Sequence, residues 1–381
     1  MSVLMETGIL SLDLHQIPLK AEVCPDIVFV ILARNEAGIL AETLLDLQTY
    51  LGRFESIHIV ADNCEDETAQ IAGQAGVVVW EREGGNASGK GAALGWWLEQ
   101  TADQDPDQIV VVLDADSRLT AEFIPGLYRW FADGVQALQA RILPSLERDT
   151  PSALLSALSE LSEQYVDDVV RSRAGWGVRL RGTGMAFKRS VLARFGGSLH
   201  TLVEDVELSL LLAAEGVRVQ SAPDLVLLDP KPTSGTGVMR QRARWLRGQA
   251  QVLKEYRAEI GKILRKGPAG WSLLVSLLLK PKSLVWFSAF AASLLLYGLS
   301  SLLEIQTGAV LLFWFSSIYA MMVGTKILYT VSRIPERRQV RKALLYTPAF
   351  MILWFFSFLL AVVSGNTWLR SRPRMDPTRI G

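Results

Sequence analysis

Short apolar runs alternate with longer amphipathic stretches over the first part of the chain. Four runs with the character of strands occupy residues 27–32, 57–60, 77–80 and 109–113. Apolar residues at helical spacing occupy the intervening residues 39–50, 68–75 and 92–99. Strands that alternate with helices in this way form a mostly parallel sheet covered by helices on both faces. The pattern therefore predicts an α/β fold.

Three further elements follow in the middle of the chain. Residues 151–174 carry leucines at helical spacing and predict a long helix packed on the sheet. Residues 181–187 form a Gly-rich turn that leads into a strand, and glycine lets backbone approach a ligand closely. A second helix is predicted over residues 203–214 and ends near Gly216.

The hydrophobic fraction of 50% is high, and most of the apolar excess lies after residue 268. The stretches 284–303, 309–331 and 344–363 are each long enough to cross a hydrocarbon core of about 30 Å. Lys326, in the second stretch, must reach the membrane surface or face protein. Residues 271–279 are too short to span and predict an amphipathic helix in the membrane interface. The sequence therefore predicts a multi-pass protein of the cell membrane.

Basic residues predict how this protein is oriented. The connector 332–343 is rich in arginine, which places it and the α/β domain in the cytoplasm. The tail is basic too, although three spans would put it outside, so its side stays open. We divide the chain into the N-terminal cytosolic segment, the α/β domain, the interface helices, the transmembrane region and the basic tail, at residues 1–26, 27–250, 251–283, 284–367 and 368–381.

Composition limits the function only slightly. The 381 residues include 39 basic and 39 acidic side chains, so charge gives no reason to expect a nucleic acid partner. The two cysteines, Cys24 and Cys64, form neither a metal-binding spacing nor a disulfide framework. The first 20 residues lack the basic start and apolar core of a secretory signal.

Polar residues follow three of the predicted strands. Asn35 and Glu36 come after the first strand, Asp62 after the second, and Asp114 and Asp116 after the fourth. Ligands of such sheets bind beyond the carboxyl ends of the strands. Two carboxylates one residue apart suit a magnesium ion that carries phosphate oxygens. These residues together predict a nucleotide site, although strand-end polar residues also serve merely as helix caps.

Three motifs occur in order ahead of the apolar stretches, namely Asp114-Ala115-Asp116, Glu204-Asp205 and Gln241-x-x-Arg244-Trp245. Together they resemble the membrane-bound family 2 glycosyltransferases. The group includes cellulose, chitin and hyaluronan synthases, bacterial poly-N-acetylglucosamine synthases and ceramide glucosyltransferase. The resemblance implies a catalytic domain of the GT-A type, a Rossmann-like sheet, over residues 27–250.

The resemblance also implies roles for individual residues on the donor side. The nucleotide or its phosphates would be held by Asn35, Glu36, Asp62, Lys90, Asp114, Gln241 and Arg244. Asp116, with Asp114, would hold Mg²⁺ or Mn²⁺ between the two phosphates. Asn63 stands where relatives carry a second acidic residue. An Asp-rich turn without any ligand is the alternative for the Asp-x-Asp.

On the acceptor side, the resemblance makes Asp205 the general base. Residues placed with the acceptor are Gly182, Thr183, Gly184, Glu204 and Trp245. Val203 departs from the threonine of the family motif. The alternative for Glu204, Asp205 and Glu207 is an acidic first turn of a helix, favoured by its dipole. The alternative for the arginines around Trp245 is a basic helix on anionic lipid.

The resulting hypothesis is an inverting transfer from a nucleotide sugar, UDP-glucose or UDP-N-acetylglucosamine, to a membrane-associated lipid or glycan acceptor. The product would be a β-linked glycolipid or polysaccharide. A processive synthase that exports its product is the alternative, and a homo-oligomer would give a polymer more room. A membrane-anchored binding module without activity is a third possibility. Residues 84–91 also approach a P-loop, but Gly91 stands where that motif needs a hydroxyl.

Overall fold

The computed structural model describes residues 25–84, 89–145, 150–278, 282–303, 306–333 and 342–363. Within these residues one sheet has the strand order β3-β2-β1-β4-β7-β6-β8-β5. The strands are β1 Ile27–Ala33, β2 Glu55–Asp62, β3 Val78–Arg82, β4 Ile109–Leu113, β5 Arg118–Leu119, β6 Ala137–Ser145, β7 Met185–Lys188 and β8 Val219–Pro230. The four predicted strands are therefore present as β1 to β4.

The helices cover both faces of the sheet and continue beyond it. They are α1 Ala37–Gln48, α2 Thr68–Gln74, α3 Lys90–Gln100, α4 Phe123–Ala132, α5 Pro151–Ser162, α6 Val169–Arg173, α7 Arg189–Leu192, α8 Glu204–Ala214, α9 Gly235–Glu255, α10 Arg257–Leu264, α11 Pro268–Leu278, α12 Lys282–Leu303, α13 Gln306–Arg333 and α14 Thr347–Val363. The long helix predicted over 151–174 is interrupted by a π-helical segment, Glu163–Asp168. Thr150 begins it, since its side chain accepts the Ala153 N–H at 3.3 Å.

The described sheet is mixed, and six of its eight strands run in the same direction. β3, β2, β1 and β4 run parallel, but β7 pairs antiparallel with both β4 and β6. β8 runs parallel to β6, and β5 pairs antiparallel with β8. The sequence analysis missed β5, β6 and β8. The register of β6 and β8 shifts between Ala140 and Arg141, and this irregularity breaks the alternation that marks a strand.

Alternate residues of the central strands face two separate apolar layers. Ile27, Phe29 and Ile31 of β1 pack with α1 and α4, whereas Val28 and Val30 pack with α3 and α8. All five side chains are fully buried. Burial on both faces explains why these strands are continuous apolar runs. The sheet is therefore a rigid support for residues at its carboxyl edge.

The apolar helices pack on the catalytic domain as well as on each other. Among the residues described, Thr307–Arg333 is the one helix long and apolar enough to cross a membrane. Shorter apolar helices cover Pro268–Leu278, Ser288–Leu299 and Ile352–Val363. The structure thus supports one candidate span where the sequence predicted three. The N-terminal 24 residues, most of the arginine-rich connector and the basic tail lie outside the described residues.

Lys326 of α13 faces protein, which was one of the two alternatives predicted for it. Its ammonium lies 2.6 Å from a carboxylate oxygen of Asp167 in the π-helical segment. Around this ion pair, Leu154 and Leu158 of α5 pack in one cluster with Val331 of α13. The lysine is thereby compensated by an opposite charge where α13 meets the catalytic domain.

We expect the folded protein to lose stability in acid because of His58, a histidine of β2. Nδ1 of His58 accepts the indole N–H groups of Trp80 at 3.3 Å and Trp97 at 3.1 Å. Burial, assisted by the charge of Arg189, lowers the pKa of His58 from 6.5 to about 4. Between these two pH values the unfolded chain binds more protons, so the free energy of unfolding falls as the pH falls.

The loss from this histidine should be on the order of 2 kcal/mol between pH 7 and pH 4. Urea unfolding of the full chain in detergent, repeated across this range for wild type and His58→Gln, measures it. The wild type should show the steeper decline with acidity. Parallel pH profiles for the two proteins would mean that the protonation of His58 has no influence on folding.

Candidate active site

Three carboxylates meet at the carboxyl edge of the sheet. Asp114 and Asp116 follow β4, and Asp229 lies near the end of β8. One carboxylate oxygen from each residue lies within 4.8 Å of the other two. The sequence analysis missed Asp229, although it ends an apolar run, Leu225–Leu228, much as Asp114 does. Three carboxylate oxygens at this separation suit a hard divalent cation such as Mg²⁺ or Mn²⁺.

Two lysines adjoin the three carboxylates. Nζ of Lys90, the first residue of α3, forms an ion pair with Oδ1 of Asp114. Nζ of Lys231 lies 2.6 Å from Oδ2 of Asp229. Burial alone would lower the pKa of Lys90, but the charges of Asp114 and Glu204 raise it well above its usual value. Lys90 therefore stays an ammonium group and supplies positive charge beside the site.

The backbone of residues 181–184, here called the 181–184 loop, is fixed against the Asp-x-Asp. Oγ1 of Thr183 accepts the Asp114 N–H at 3.1 Å and lies 2.8 Å from Oγ of Ser117. Gln139 of β6 donates to the Thr183 carbonyl at 2.9 Å and accepts the Arg181 N–H at 2.9 Å. Gln139 is buried, and the sequence analysis missed it because its partners lie some forty residues away. Its side-chain amide thus holds the loop at two points, since the nitrogen donates to one residue of the loop and the oxygen accepts from another.

Glycine is required in this loop at Gly184. Its φ of +63° lies in the left-handed region, and an added Cβ would lie 2.1 Å from Cδ2 of Leu227. At Gly182, an added Cβ would lie 3.9 Å from Oε1 of Glu204. The structure therefore brings Gly182, Thr183 and Glu204, all predicted to meet the acceptor, to one place. Their contact with an acceptor stays a prediction.

A buried charge cluster stands behind the loop. The side chain of Arg181 is only 2% exposed, and its Nη1 lies 3.1 Å from carboxylate oxygens of both Glu160 and Glu163. Its Nη2 pairs with Asp168. Burial alone would lower the pKa of Arg181, but the charges of the three acidic groups outweigh burial and raise this pKa above its usual value. Sequence reasoning missed this cluster because the acids belong to one helix and the arginine to a distant loop.

Glu204 and Asp205 begin α8 beside the same lysine. Burial and the charge of Asp205 raise the pKa of Glu204 to about 7, while Lys90 and Arg244 act in the opposite direction. These interactions place Glu204 within electrostatic range of Lys90, and Lys90 bonds Asp114. The Glu-Asp motif and the Asp-x-Asp therefore lie around one site.

Val203, which departs from the family motif, packs against α9. Val203 is buried, and an added Cβ on Gly248 would lie 2.6 Å from both of its terminal methyl groups. The N–H of the preceding residue, Leu202, donates to Oε1 of Gln251 at 3.1 Å. These contacts hold α9 closely against the start of α8.

Glu207 of α8 stabilises the segment that precedes this helix and the end of α9. Its fully buried carboxylate accepts the N–H groups of His200 at 3.2 Å and Thr201 at 3.0 Å. It also accepts the Tyr256 hydroxyl at 2.6 Å. The alternative of a structural acidic turn therefore applies to Glu207.

Three of the residues predicted to hold the nucleotide, Asn35, Glu36 and Asp62, lie at the carboxyl ends of β1 and β2. Asn35 has a φ of +56°, and its Oδ1 accepts the Glu65 N–H at 2.6 Å. The Glu36 N–H donates to Oγ1 of Thr68 at 2.9 Å. Asp62 is buried and pairs with Arg82 at 2.5 Å. These contacts fix the backbone around Asn35 and Glu36 and the side chain of Asp62, and the roles of the three residues toward a nucleotide stay predictions.

The third motif lies on α9. Arg244 lies near enough to Lys90 and Glu204 for its charge to act on both. Gln241 is half-buried one turn earlier, and the indole of Trp245 is 37% exposed. The neighbouring Arg242 points away, with its guanidinium 4.2 Å from the ring of Trp354 in α14. Arg244 is therefore the residue of this motif that the structure places at the site, and the roles of Gln241 and Trp245 stay predictions.

Comparison with known proteins decides the family. The model of the family described as "Glycosyltransferase like family 2" matches residues 25–248. The chain belongs to this family. The P-loop alternative is thereby displaced, and most of its loop, residues 85–88, lies outside the described residues. Membership also confirms the prediction that the protein is an enzyme of the glycosyltransferase class.

Two relatives illustrate the extent of the likeness. The chain is 24% identical over 257 residues to "Probable glycosyltransferase YdaM" of Bacillus subtilis (strain 168), a match that covers 64% of this chain and 59% of that protein. The structure resembles that of the mannosyltransferase PcManGT from Pyrobaculum calidifontis in complex with GDP-Man and Mn²⁺. That likeness has a TM-score of 0.53 at 17% identity and covers 90% of this chain and 88% of that one. It supports the GT-A-like fold.

Proposed function

We propose that this protein moves a sugar from a UDP-sugar, UDP-glucose or UDP-N-acetylglucosamine, to a hydroxyl of a membrane-associated acceptor with inversion at the anomeric carbon. The observation that carries the proposal is the convergence of the Asp114, Asp116 and Asp229 carboxylates with Lys90 and with Glu204-Asp205. A metal-diphosphate site and a candidate base thus lie on the same edge of the sheet.

The donor would be bound through its diphosphate. Asp114, Asp116 and Asp229 are three oxygen donors that fit Mg²⁺ or Mn²⁺, and such an ion withdraws charge from the departing phosphate. Lys90 and Arg244 supply further positive charge for phosphate oxygens. Asn35, Glu36 and Asp62 would hold the nucleoside at the ends of β1 and β2.

Asp205 is the residue of the chain that acts as the general base in the proposed reaction. In the proposed step, its carboxylate takes the proton of the acceptor hydroxyl as that oxygen attacks the anomeric carbon. The bond from the anomeric carbon to the phosphate oxygen breaks, and UDP leaves from the opposite face. A single displacement of this kind converts an α-linked donor into a β-linked product.

A membrane acceptor is supported by where the apolar helices lie. Arg242 of α9, the helix that carries Arg244, stacks on Trp354 of α14. Large apolar side chains of α13 and α14 are exposed, among them Leu311 at 65% and Val363 at 83%. Many large apolar side chains exposed on neighbouring turns of these helices mark contact with lipid or protein. We therefore propose a membrane-associated enzyme whose cytoplasmic site opens near the bilayer surface.

The test is transfer by the purified full chain in lipid vesicles. Labelled UDP-glucose, UDP-N-acetylglucosamine and GDP-mannose would be supplied separately with Mn²⁺, and the lipid and polymer products would be analysed by mass. We expect a β-linked product on a lipid acceptor from one UDP-sugar. Transfer from GDP-mannose alone would contradict the donor assignment, and long polymer chains would favour the processive alternative. No metal-dependent transfer or UDP release from any donor would overturn the proposal.

A further inference from the structure

One helical segment connects the 181–184 loop with the candidate membrane span α13. The segment, here called the linking helix, comprises α5, the π-helical residues Glu163–Asp168 and α6. It packs against α13 and also lies beside the buried Arg181. The sequence motifs do not account for this arrangement.

Toward the active site, the linking helix holds the residue that begins the loop. Glu160, Glu163 and Asp168 all contact the guanidinium of Arg181. Two residues later, Thr183 accepts the backbone N–H of Asp114 at 3.1 Å. A shift of the linking helix would therefore move the 181–184 loop, whereas Asp114 directly follows β4 and stays with the sheet.

Toward the membrane, the linking helix is held by two apolar helices. Oδ2 of Asp167 lies 2.6 Å from Nζ of Lys326 in α13, and the two side chains are 30% and 13% exposed. Arg171 of α6 donates from Nη1 to Oγ of Ser272 in α11 at 2.5 Å. The position of the linking helix thus depends on the helices that we assign to the membrane and its interface.

The π-helical turn puts these two connections side by side. Asp167 faces α13 and its neighbour Asp168 faces Arg181, so adjacent carboxylates bond to the two different partners. Such π turns inside α-helices occur frequently at functional sites. A charged pair this little exposed is also costly to maintain unless its geometry is good.

We propose that the Asp167–Lys326 ion pair is a positioning contact through which α13 places the 181–184 loop for sugar transfer. The inference rests on the proposed function and adds to it a residue pair remote from the donor. It predicts that breaking the pair slows the catalysed step without weakening donor binding, because the carboxylates at the ends of β4 and β8 are left in place.

The experiment compares Lys326→Met, Lys326→Arg, Asp167→Asn and the double variant Asp167→Asn/Lys326→Met in lipid vesicles. We expect kcat to fall about tenfold in Lys326→Met and Asp167→Asn, with the donor KM and Mn²⁺-dependent UDP binding unchanged. The double variant should be no slower than either single one, since both remove the same contact. Lys326→Arg should retain most of the wild-type kcat.

Lys262→Met is the matched control, because Lys262 forms an exposed ion pair with Glu215 at 3.3 Å outside the linking helix. It should transfer sugar at the wild-type rate. A wild-type kcat in Lys326→Met, or a lowered melting temperature with kcat unchanged, would overturn the positioning role alone. Absence of transfer by the wild type from every nucleotide sugar would instead overturn the proposed function.

Discussion

Replacing Asp205 by asparagine should reduce sugar transfer on the order of 10³-fold and leave UDP binding close to that of the wild type. Asparagine has nearly the shape of aspartate but cannot take the proton of an acceptor hydroxyl at neutral pH. Asp205 begins α8, whereas Lys90 and the three clustered carboxylates belong to other elements. The donor site should therefore persist without this charge.

Transfer rates and Mn²⁺-dependent UDP binding, measured on the same preparations, test this expectation. Glu215→Gln is a suitable control, since Glu215 follows the far end of the same helix and forms exposed ion pairs with Arg194 and Lys262. If Asp205→Asn lost UDP binding together with transfer, Asp205 would belong to the donor site instead. Nearly full transfer by this variant would remove it from the mechanism.

Replacing Asp229 by asparagine should raise the Mn²⁺ concentration needed for half-maximal transfer on the order of 100-fold. The substitution removes one of three carboxylates that can reach a single ion. It also leaves Lys231 without its 2.6 Å partner, which adds repulsion toward a cation. At saturating Mn²⁺ we expect much of the rate to return.

A Mn²⁺ titration of transfer, together with the paramagnetic resonance signal of free Mn²⁺ in the presence of UDP, provides the measurement. Asp224→Asn is the matched control on the same strand, because Asp224 accepts the indole N–H of Trp130 at 2.9 Å and is absent from the carboxylate cluster. An unchanged Mn²⁺ requirement in Asp229→Asn would show that Asp229 serves only as the partner of Lys231.

Much of the catalytic domain could be predicted because its signals are local. β1 and β4 are apolar runs buried on both faces, and polar residues follow directly where they end. Asp114 and Asp116 were found in this way, and Glu204, Asp205 and Arg244 through the order of family motifs. These signals can be recognised from the sequence because each depends on residues that are neighbours along the chain.

The apolar part illustrates the limit of such reasoning. Hydropathy predicted three spans, yet α13 is the one described helix that meets both length and composition. Hydropathy also could not decide whether Lys326 reaches the membrane surface or faces protein. Only the packing of α13 on α5 put Asp167 within 2.6 Å of it.

The sequence by itself determined the alternation of strands and helices, the family and the Asp-x-Asp, because periodicity and short motifs are written in consecutive residues. The tertiary structure decided which carboxylates share a site: β8 had to run parallel to β6 before Asp229 could reach Asp114. It also decided that the acids of the linking helix enclose Arg181. Contacts of this kind join elements far apart in the chain, and the energy of a buried charge depends on the partners that folding brings to it.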